Sequence, residues 1–330
     1  MARVVRFHKT GGPEVLQIDE MDVGAPGAGE LRLRAHALGL NRAESMFRSG
    51  MYLEEPVLPA KLGYEVAGTV DAVGEGVTGF AVGDKVSTVP PFKMNKYGVY
   101  GDQVIVPAAS VVKHPDNLSW QEAAAIWMQY MTAYGGLIDV ARLAPGDAVI
   151  ILAASSSVGL AAIQIANAAG AVSIATTRTS AKREALLSHG AQHVIATQEQ
   201  DFVEEVKRLT GGKGARVIFN PVAGPGVETL AQAASQGGTI ILYGALAPSP
   251  TPFPLFTALE KGLTFRGYTL WEIAGDPQRM ARGKQYVLDG LASGKLKPVI
   301  AKTFPFDKIV DAHRFMESNE QIGKIVVNVD

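Results

Sequence analysis

Short apolar runs of strand length, closely punctuated by glycine and proline, mark the first 120 or so residues of the chain. This spacing is typical of a compact β-barrel-like domain and not of repeated strand–helix units. The strands that the pattern predicts are 4–7, 30–40, 66–73, 85–89 and 103–106.

From about Ser119 the pattern changes to helix-length segments, with one or two helices over 120–140, and then strand-length and helix-length segments alternate. This alternation predicts a doubly wound parallel sheet, so the fold class is α/β. The predicted strands of the sheet are 148–153, 172–176, 193–196, 215–220, 238–243 and 263–267, with helices such as 158–169 and 182–188 between them. Helices at 276–293 and 307–318 and strands at 300–304 and 323–329 follow, and the last strands resemble the first domain.

Composition favours two domains and a small ligand. The chain has 330 residues, of which 47% are hydrophobic, which is more than one ordinary domain core requires. Its 31 basic and 32 acidic residues create no broad positive field for nucleic acid or anionic lipid. The absence of cysteine excludes disulfides, thiolate catalysis and sulfur-ligated zinc.

One uncharged stretch, between Asp147 and Arg178, is long enough to cross a bilayer. Serines and glycines divide it into a strand, a turn, a helix and a second strand, which is the pattern of strands buried in a parallel sheet. The charged N-terminal residues also lack the apolar run of a signal peptide. We therefore expect no membrane span and a cytoplasmic protein.

A candidate dinucleotide site begins where the strand ending at Ala153 meets a helix near Val158. The turn between them contains Ser155, Ser156 and Ser157, and the amide groups of such a helix N-terminus attract pyrophosphate. Only Gly159 remains of the usual glycine fingerprint. An ordinary small-residue turn between strand and helix would explain this segment equally well.

The end of the next strand decides between a ribose hydroxyl and a 2'-phosphate. This segment has no carboxylate and carries Thr177, Arg178 and Lys182. Two cations and neighbouring hydroxyls suit a phosphate, which favours NADPH. Alternatively, the segment is a solvated loop in which Ser180 caps the following helix.

Several motifs together resemble the medium-chain dehydrogenase/reductase superfamily, and within it the zinc-free quinone oxidoreductase (zeta-crystallin-like) branch. Besides the serine-rich turn, these motifs are LGYEVAG at 62–68, VGDKV at 82–86, MTAY at 131–134 and GKIVV at 323–327. The resemblance implies a GroES-like substrate domain formed by 1–122 and 268–330, and a Rossmann NADPH-binding domain at 123–267. It also implies a cleft between the domains, and a homodimer paired through the strand at 263–268, with a tetramer as the alternative.

The resemblance further implies that no zinc is bound. Zinc-dependent relatives place a cysteine where Asn41 stands and a histidine where Tyr64 stands. The six histidines have no ligand spacing, and we expect surface or incidental positions for them. Without a Lewis acid, alcohol oxidation is disfavoured. Hydride transfer to a quinone or an enone needs only hydrogen bonds to the developing oxyanion.

Asn41 and Tyr64 are the candidate catalytic residues. By resemblance, the Asn41 amide meets the nicotinamide or the substrate oxygen, and the Tyr64 phenol donates a hydrogen bond or a proton. A turn asparagine and a core tyrosine are the simpler alternatives. Met46 replaces a tyrosine of related enoyl reductases, and with Trp127 and Gln129 it is expected to line the acceptor pocket. The remaining residues expected to contact the cofactor are Thr132, Asn220, Tyr243, Gly244, Ala245, Leu246, Thr269, Leu270 and Trp271.

Three functions fit these patterns. The leading hypothesis is an NADPH-dependent, metal-free oxidoreductase acting on a quinone or an activated alkene. An enoyl-thioester reductase is opposed by Met46 and by the lack of an obvious basic groove for a carrier phosphate. A non-catalytic NADPH-binding sensor or crystallin-like protein is the third, because the fold is compatible with all of them.

Overall fold

The computed structural model describes residues 1–329 and separates into two compact units. Unit 1 contains residues 1–128 and the chain from 298 onward, and unit 2 contains Gln129–Lys297. No helix within the described range is long and apolar enough to span a bilayer.

Unit 1 is built mainly from strands. In chain order its first part contains β1 (Ala2–Phe7), β2 (Leu16–Met21), β3 (Glu30–Gly39), α1 (Arg42–Arg48), β4 (Ala60–Lys61), β5 (Glu65–Val73), β6 (Lys85–Thr88), α2 (Met94–Tyr97), β7 (Gln103–Pro107), β8 (Val111–Lys113) and α3 (Trp120–Ala123). Buried and exposed residues alternate along much of β3 and β7, as expected for strands with one face on the core. The β-rich first domain is thereby confirmed.

Unit 2 is a six-stranded parallel sheet flanked by helices. It contains the end of α4 (Trp127–Tyr134), a π-helical segment (Gly135–Val140), β9 (Ala148–Ile151), α5 (Ser157–Ala168), β10 (Val172–Thr177), α6 (Arg183–Ser188), β11 (His193–Ala196), α7 (Phe202–Leu209), β12 (Ala215–Asn220), α8 (Val227–Ala233), β13 (Ala234–Leu242), α9 (Leu255–Lys261), β14 (Thr264–Gly267), α10 (Leu270–Ala274) and α11 (Pro277–Ala292). The strand order is β11-β10-β9-β12-β13-β14, so the chain leaves β9 to one side for β10 and later adds β12 on the other. Ligands bind such sheets beyond the carboxyl ends of the strands at this reversal.

The chain then returns to unit 1 through β15 (Ile300–Pro305), α12 (Ile309–Ser318) and β16 (Lys324–Asn328). β16 pairs antiparallel with β3, with Val326 opposite Gly39. The main sheet of unit 1 therefore has the order β15-β16-β3-β5-β6-β8, with β7 also paired to β3, while β2, β1 and β4 form a second sheet. This confirms that the last strands belong with the first domain.

The predicted second domain boundary at 268 is wrong. The chain leaves unit 2 only after Lys297, because α11 packs directly on α4. A Cβ atom on Gly283 of α11 would lie 2.7 Å from Met131 Cε and 3.0 Å from Tyr134 Cε1. In addition, the Gln164 side chain donates a hydrogen bond to the Lys297 carbonyl.

Candidate functional site

Asn41 lies in unit 1 between the end of β3 and the first residue of α1. Glu44, one turn into the helix, accepts a 2.6 Å hydrogen bond from the Asn41 backbone N–H through Oε2. This is half of a capping box, in which the side chain of the third helical residue accepts a hydrogen bond from the backbone N–H of the residue just before the helix. Asn41 is thus a helix-capping residue, and its side chain is largely buried.

The amide of Asn41 has charged partners on both sides. Nδ2 lies 3.2 Å from Glu44 Oε1 and 3.2 Å from Glu65 Oε2, while Oδ1 accepts a 2.6 Å hydrogen bond from Lys324 Nζ. An ammonium can only donate a hydrogen bond and a carboxylate oxygen accepts one. These partners therefore identify which end of the amide is the oxygen and which is the nitrogen. The structure therefore brings Asn41 together with three ionisable residues that our sequence analysis did not propose as site residues.

The three ionisable side chains are almost completely removed from solvent. Glu44, Glu65 and Lys324 are at most 1% exposed, and Lys324 Nζ forms an ion pair with Glu65 Oε2. Glu65 Oε1 accepts a hydrogen bond from the Met128 N–H, and Glu44 Oε1 accepts one from the Tyr64 N–H. Burial raises the pKa of Glu44 to about 7, although the Lys324 charge acts in the opposite direction.

Gly39 shows how closely the chain packs beside this cluster. A Cβ atom there would lie 2.0 Å from the Ala124 carbonyl oxygen and 2.9 Å from Lys324 Cε. No larger residue fits without moving the backbone at the end of β3. The position of Asn41 is therefore set by close packing as well as by hydrogen bonds.

Tyr64 lies in the core of unit 1. Its side chain is fully buried, its ring packs edge-on against Phe92, and its hydroxyl lies 3.4 Å from the Tyr52 hydroxyl. Burial raises the pKa of the phenol well above its usual value, so the group is neutral. This geometry agrees with the alternative of a core tyrosine, and the catalytic role of Tyr64 stays a prediction. Met46 is half-buried on α1.

We expected the histidines to be surface or incidental polar residues, and two of the six do not lie at the surface. His114 and His313 are buried, and His313 Nδ1 accepts a 3.0 Å hydrogen bond from Arg48 Nη1. Arg48 also forms an ion pair with Glu317. Burial lowers the pKa of His313 to about 3, which keeps the ring neutral beside the guanidinium. Across residues 1–329, no group of three or more histidine, aspartate or glutamate side chains could hold a metal ion.

In unit 2 the serine-rich turn connects β9 to α5. Ser156 precedes the helix and its Oγ accepts a 3.0 Å hydrogen bond from the Gly159 N–H. A Cβ atom on Gly159 would lie 2.6 Å from both the Ala153 carbonyl oxygen and Ala154 Cα, so glycine is required there. Ala153 has a φ of 48°, in the region that alanine rarely adopts. Such strain is common where a backbone is shaped for a ligand, and it weighs against an ordinary turn.

The cationic loop after β10 reaches this turn. Lys182 Nζ donates a 3.1 Å hydrogen bond to Ser155 Oγ, and exposed Arg178 directly follows β10. The first amides of a helix such as α5 have no acceptor within it, and Ser157 and Val158 supply them here. The donor set of the turn and the loop therefore fits a dinucleotide that carries phosphates.

Two details of this loop differ from expectation. The Ser180 N–H donates to Glu199 Oε1, which places a carboxylate that we had not foreseen beside the loop. Ser180 was considered as a helix cap, but this is wrong. Thr179 precedes the short 3-10 turn that begins at Ser180, and Lys182 precedes α6. Ser180 lies within the turn because the chain tightens one residue earlier.

The carboxyl ends of β12 and β13 carry buried polar atoms without partners. Asn220 Oδ1 accepts hydrogen bonds from the Val222 and Ala223 N–H groups, but its Nδ2 has no partner within the described chain. The Tyr243 hydroxyl also has none, and the Tyr243 ring stacks on Phe219 at 3.9 Å. Unsatisfied buried groups are rare and commonly mark the place of a ligand.

The other predicted cofactor and pocket residues lie at several places. Gly244, Ala245 and Leu246 follow β13, where the Leu246 N–H donates to the Pro221 carbonyl. Thr269 is exposed, Leu270 is buried and Trp271 is half-buried at the start of α10. Thr132, Trp127 and Gln129 are buried along α4, as in the alternative of a helix with a buried face. Their contacts with cofactor or substrate stay predictions.

Comparison with known proteins agrees with this architecture. Residues 27–116 match the alcohol dehydrogenase GroES-like domain, and residues 157–282 match the zinc-binding dehydrogenase family. The chain is 31% identical to the quinone oxidoreductase of Homo sapiens, with 99% of this chain and 98% of that protein covered. The chain belongs to the medium-chain dehydrogenase/reductase superfamily, in its quinone oxidoreductase branch.

Two further similarities concern the same branch. The 2-haloacrylate reductase of a Burkholderia species is 32% identical over 99% of this chain and 98% of its own. The solved structure of Escherichia coli quinone oxidoreductase complexed with NADPH superimposes with a TM-score of 0.91 at 30% identity. It covers 99% of this chain and 100% of that one. The expected α/β fold, with a GroES-like domain and a Rossmann sheet, is confirmed.

Proposed function

We propose that this protein is an NADPH-dependent oxidoreductase that transfers hydride, without a metal ion, to a quinone or an activated alkene. The observation that carries the cofactor assignment is the contact between Lys182 and Ser155. It joins the cationic loop after β10 to the turn that begins α5. The acceptor class is supported by relatives whose names are quinone oxidoreductase and 2-haloacrylate reductase.

The preference for NADPH over NADH rests on charge. Lys182 and Arg178 offer two cations near the position of the 2'-substituent, and the hydroxyl of Thr177 is adjacent in sequence. Glu199 opposes a phosphate there, because its negatively charged carboxylate lies beside the loop, where it accepts the Ser180 N–H. Two cations outweigh one exposed carboxylate in this loop. A related structure that was solved in complex with NADPH also favours this cofactor.

Bound NADPH would supply the hydride, and the protein would supply binding, orientation and exclusion of water. The α5 N-terminus at Ser156 to Val158 would hold the pyrophosphate, because its free amides point along the helix axis. Asn220 Nδ2 and the Tyr243 hydroxyl would complete their hydrogen bonds on the bound cofactor. Thr132 and Thr269–Trp271 are proposed near the nicotinamide by family pattern.

The metal-free assignment rests on the donors around Asn41. An ammonium, Lys324, already lies against Asn41 Oδ1 and Glu65, and both Glu44 oxygens accept N–H hydrogen bonds. The groups that could ligate a cation are therefore already occupied by protein donors. A site without a Lewis acid suits acceptors that are electron-poor by themselves, because the oxyanion formed after hydride addition then needs only hydrogen bonds.

A panel of acceptors tests this function. We expect NADPH oxidation with 1,4-benzoquinone, 9,10-phenanthrenequinone or 2-alkenals, and little with crotonyl-CoA, because Met46 offers no proton to an enoyl thioester. Turnover restricted to crotonyl-CoA would instead establish the enoyl reductase. Tight NADPH binding without turnover of any acceptor would establish the non-catalytic alternative and overturn the enzymatic assignment.

We also propose that the protein is a homodimer, paired through β14. This strand is an edge of the unit 2 sheet, and an open edge offers unpaired backbone groups. The preceding helix α9 exposes Leu255, Phe256 and Leu259, and Phe253 packs on Phe265 of the edge strand. Light scattering should give twice the chain mass of 34.9 kDa, and Phe256→Asp should shift it to the monomer. A monomeric wild-type protein would contradict the proposal.

A further inference from the structure

The Asn41 amide is held by side chains from three separate parts of unit 1. Glu44 is on α1, Glu65 begins β5, and Lys324 begins β16, which is 283 residues away in sequence from Asn41. All three are buried, and all three bond to the same amide. Convergence of distant elements on one side chain is the observation that requires an explanation.

Stability alone does not explain this cluster. Removing three charges from water is costly, and well-packed apolar residues of similar volume are commonly as stabilising or more so. The polar groups also do more than satisfy one another, since each of them contributes a bond to Asn41. A buried polar network can instead be retained because it specifies one geometry.

The geometry determines which atom of the Asn41 amide remains free to hydrogen-bond a ligand. Its two N–H groups face three acceptors, namely Glu44, Glu65 and the Gly39 carbonyl. Oδ1 accepts from Lys324 and, like any amide oxygen, has a second lone pair. The amide has therefore no N–H to offer to a ligand, and only its oxygen is left.

We propose that Glu44, Glu65 and Lys324 are positioning residues that hold Asn41 in one orientation, with Oδ1 available to an N–H or O–H donor of the bound cofactor or substrate. Asn41 then orients the ligand as a hydrogen-bond acceptor and does not stabilise an oxyanion. This inference rests on the proposed function, because it assigns the part of Asn41 in that reaction.

The test removes the charges of the network as a pair. Glu65→Gln with Lys324→Met removes both members of the ion pair, and Glu44 keeps its N–H partners from Asn41 and Tyr64, so the chain should fold. We expect kcat/KM for the acceptor to fall about tenfold or more, while the melting temperature and the pyrophosphate-dominated affinity for NADPH change little. The matched control is Arg48→Met with Glu317→Gln, an ion pair in the same unit in which Arg48 is buried and Glu317 is partly exposed, and which makes no bond to Asn41. It should keep kcat/KM within about twofold.

A second readout does not depend on activity. In protein labelled with ¹⁵N at asparagine side chains, the Asn41 NH2 pair is assigned as the signal that Asn41→Ala removes. We expect this pair to exchange slowly with solvent in the wild type, and about tenfold or more faster in the Glu65→Gln, Lys324→Met variant. Rapid exchange in the wild type, or unchanged exchange and kcat/KM in the variant, would overturn the positioning role. If no acceptor turns over, the proposed function fails, and the exchange measurement still decides the positioning role.

Discussion

Two regions of the molecule differ in whether their buried polar groups have hydrogen-bond partners. Around Asn41, each of the three buried ionisable side chains has hydrogen-bond partners, and the N–H groups of the Asn41 amide face acceptors. At the carboxyl ends of β12 and β13, Asn220 Nδ2 and the Tyr243 hydroxyl are buried without partners within the described chain. The donors of the first region need no ligand to be satisfied, so this region is preorganised, whereas the second region keeps buried polar atoms that no protein group satisfies. This difference agrees with the proposals above, in which the first region positions Asn41 and the second binds the cofactor.

The largest effect should follow from breaking the closed region. Lys324→Met leaves the buried Glu65 carboxylate unpaired, and breaking such a pair costs about 3–5 kcal/mol. Chemical denaturation should show that loss in the free energy of unfolding. Adding Glu65→Gln should recover most of it. If the single variant were as stable as the wild type, the ion pair would not be part of a closed network.

A smaller effect is expected from the cationic loop after β10. If this loop binds the 2'-phosphate as proposed, Lys182→Ala removes a charge-assisted contact and should raise the dissociation constant for NADPH about 10- to 100-fold while leaving that for NADH nearly unchanged. Lys207→Ala, which removes an exposed cation of α7, is the matched control. Fluorescence titration with both cofactors gives the comparison, and an equal loss for NADPH and NADH would sink the assignment to the 2'-phosphate.

The effect of pH is gradual, and near neutral pH it is small. Unfolded His313 protonates near 6.5 and the folded ring only near about 3, so the unfolded chain binds the extra proton between these values. The free energy of unfolding should fall as the pH drops below 6.5, by up to about 1.4 kcal/mol per pH unit from this group. Glu44 acts oppositely, since its contribution to stability fades as the pH rises from 4.5 to about 7.

Denaturation of His313→Gln at about pH 5 and about pH 7 measures the histidine contribution. Glutamine keeps an acceptor for Arg48 but does not titrate, so the stability lost between the two pH values should shrink relative to the wild type. An identical loss in both proteins would show that His313 does not govern the acid side of the profile.

Much of the fold followed from patterning, because strands buried on both faces are short unbroken apolar runs, whereas amphipathic helices repeat their apolar positions every three or four residues. The alternation correctly placed β9 to β14, and the final strand was correctly joined to the first domain. Strand β2 was missed because three of its six residues, Gln17, Asp19 and Glu20, are polar and make the segment resemble a loop. The boundary at 268 failed because α11 packs on α4 through contacts remote in sequence.

The candidate site was predictable only where its chemistry is local. The serine turn and Lys182 belong to one strand–helix–strand unit, with Ser155 and Lys182 27 residues apart, so their proximity could be predicted from the sequence. Glu44 stands three residues after Asn41, and this capping-box spacing was a signal that could have identified it. Lys324 gave no such signal, because it meets Asn41 only when β16 pairs with β3.

The most direct test of the account is a single-turnover measurement. Protein saturated with NADPH is mixed with an excess of the best acceptor of the panel, and the loss of reduced cofactor is followed with unlabelled NADPH and with NADPH that carries deuterium at both C4 positions. The account predicts complete oxidation within one turnover and a slower rate with the deuterated cofactor, because hydride leaves that carbon. Bound NADPH that stays reduced in the presence of every quinone and activated alkene would contradict it.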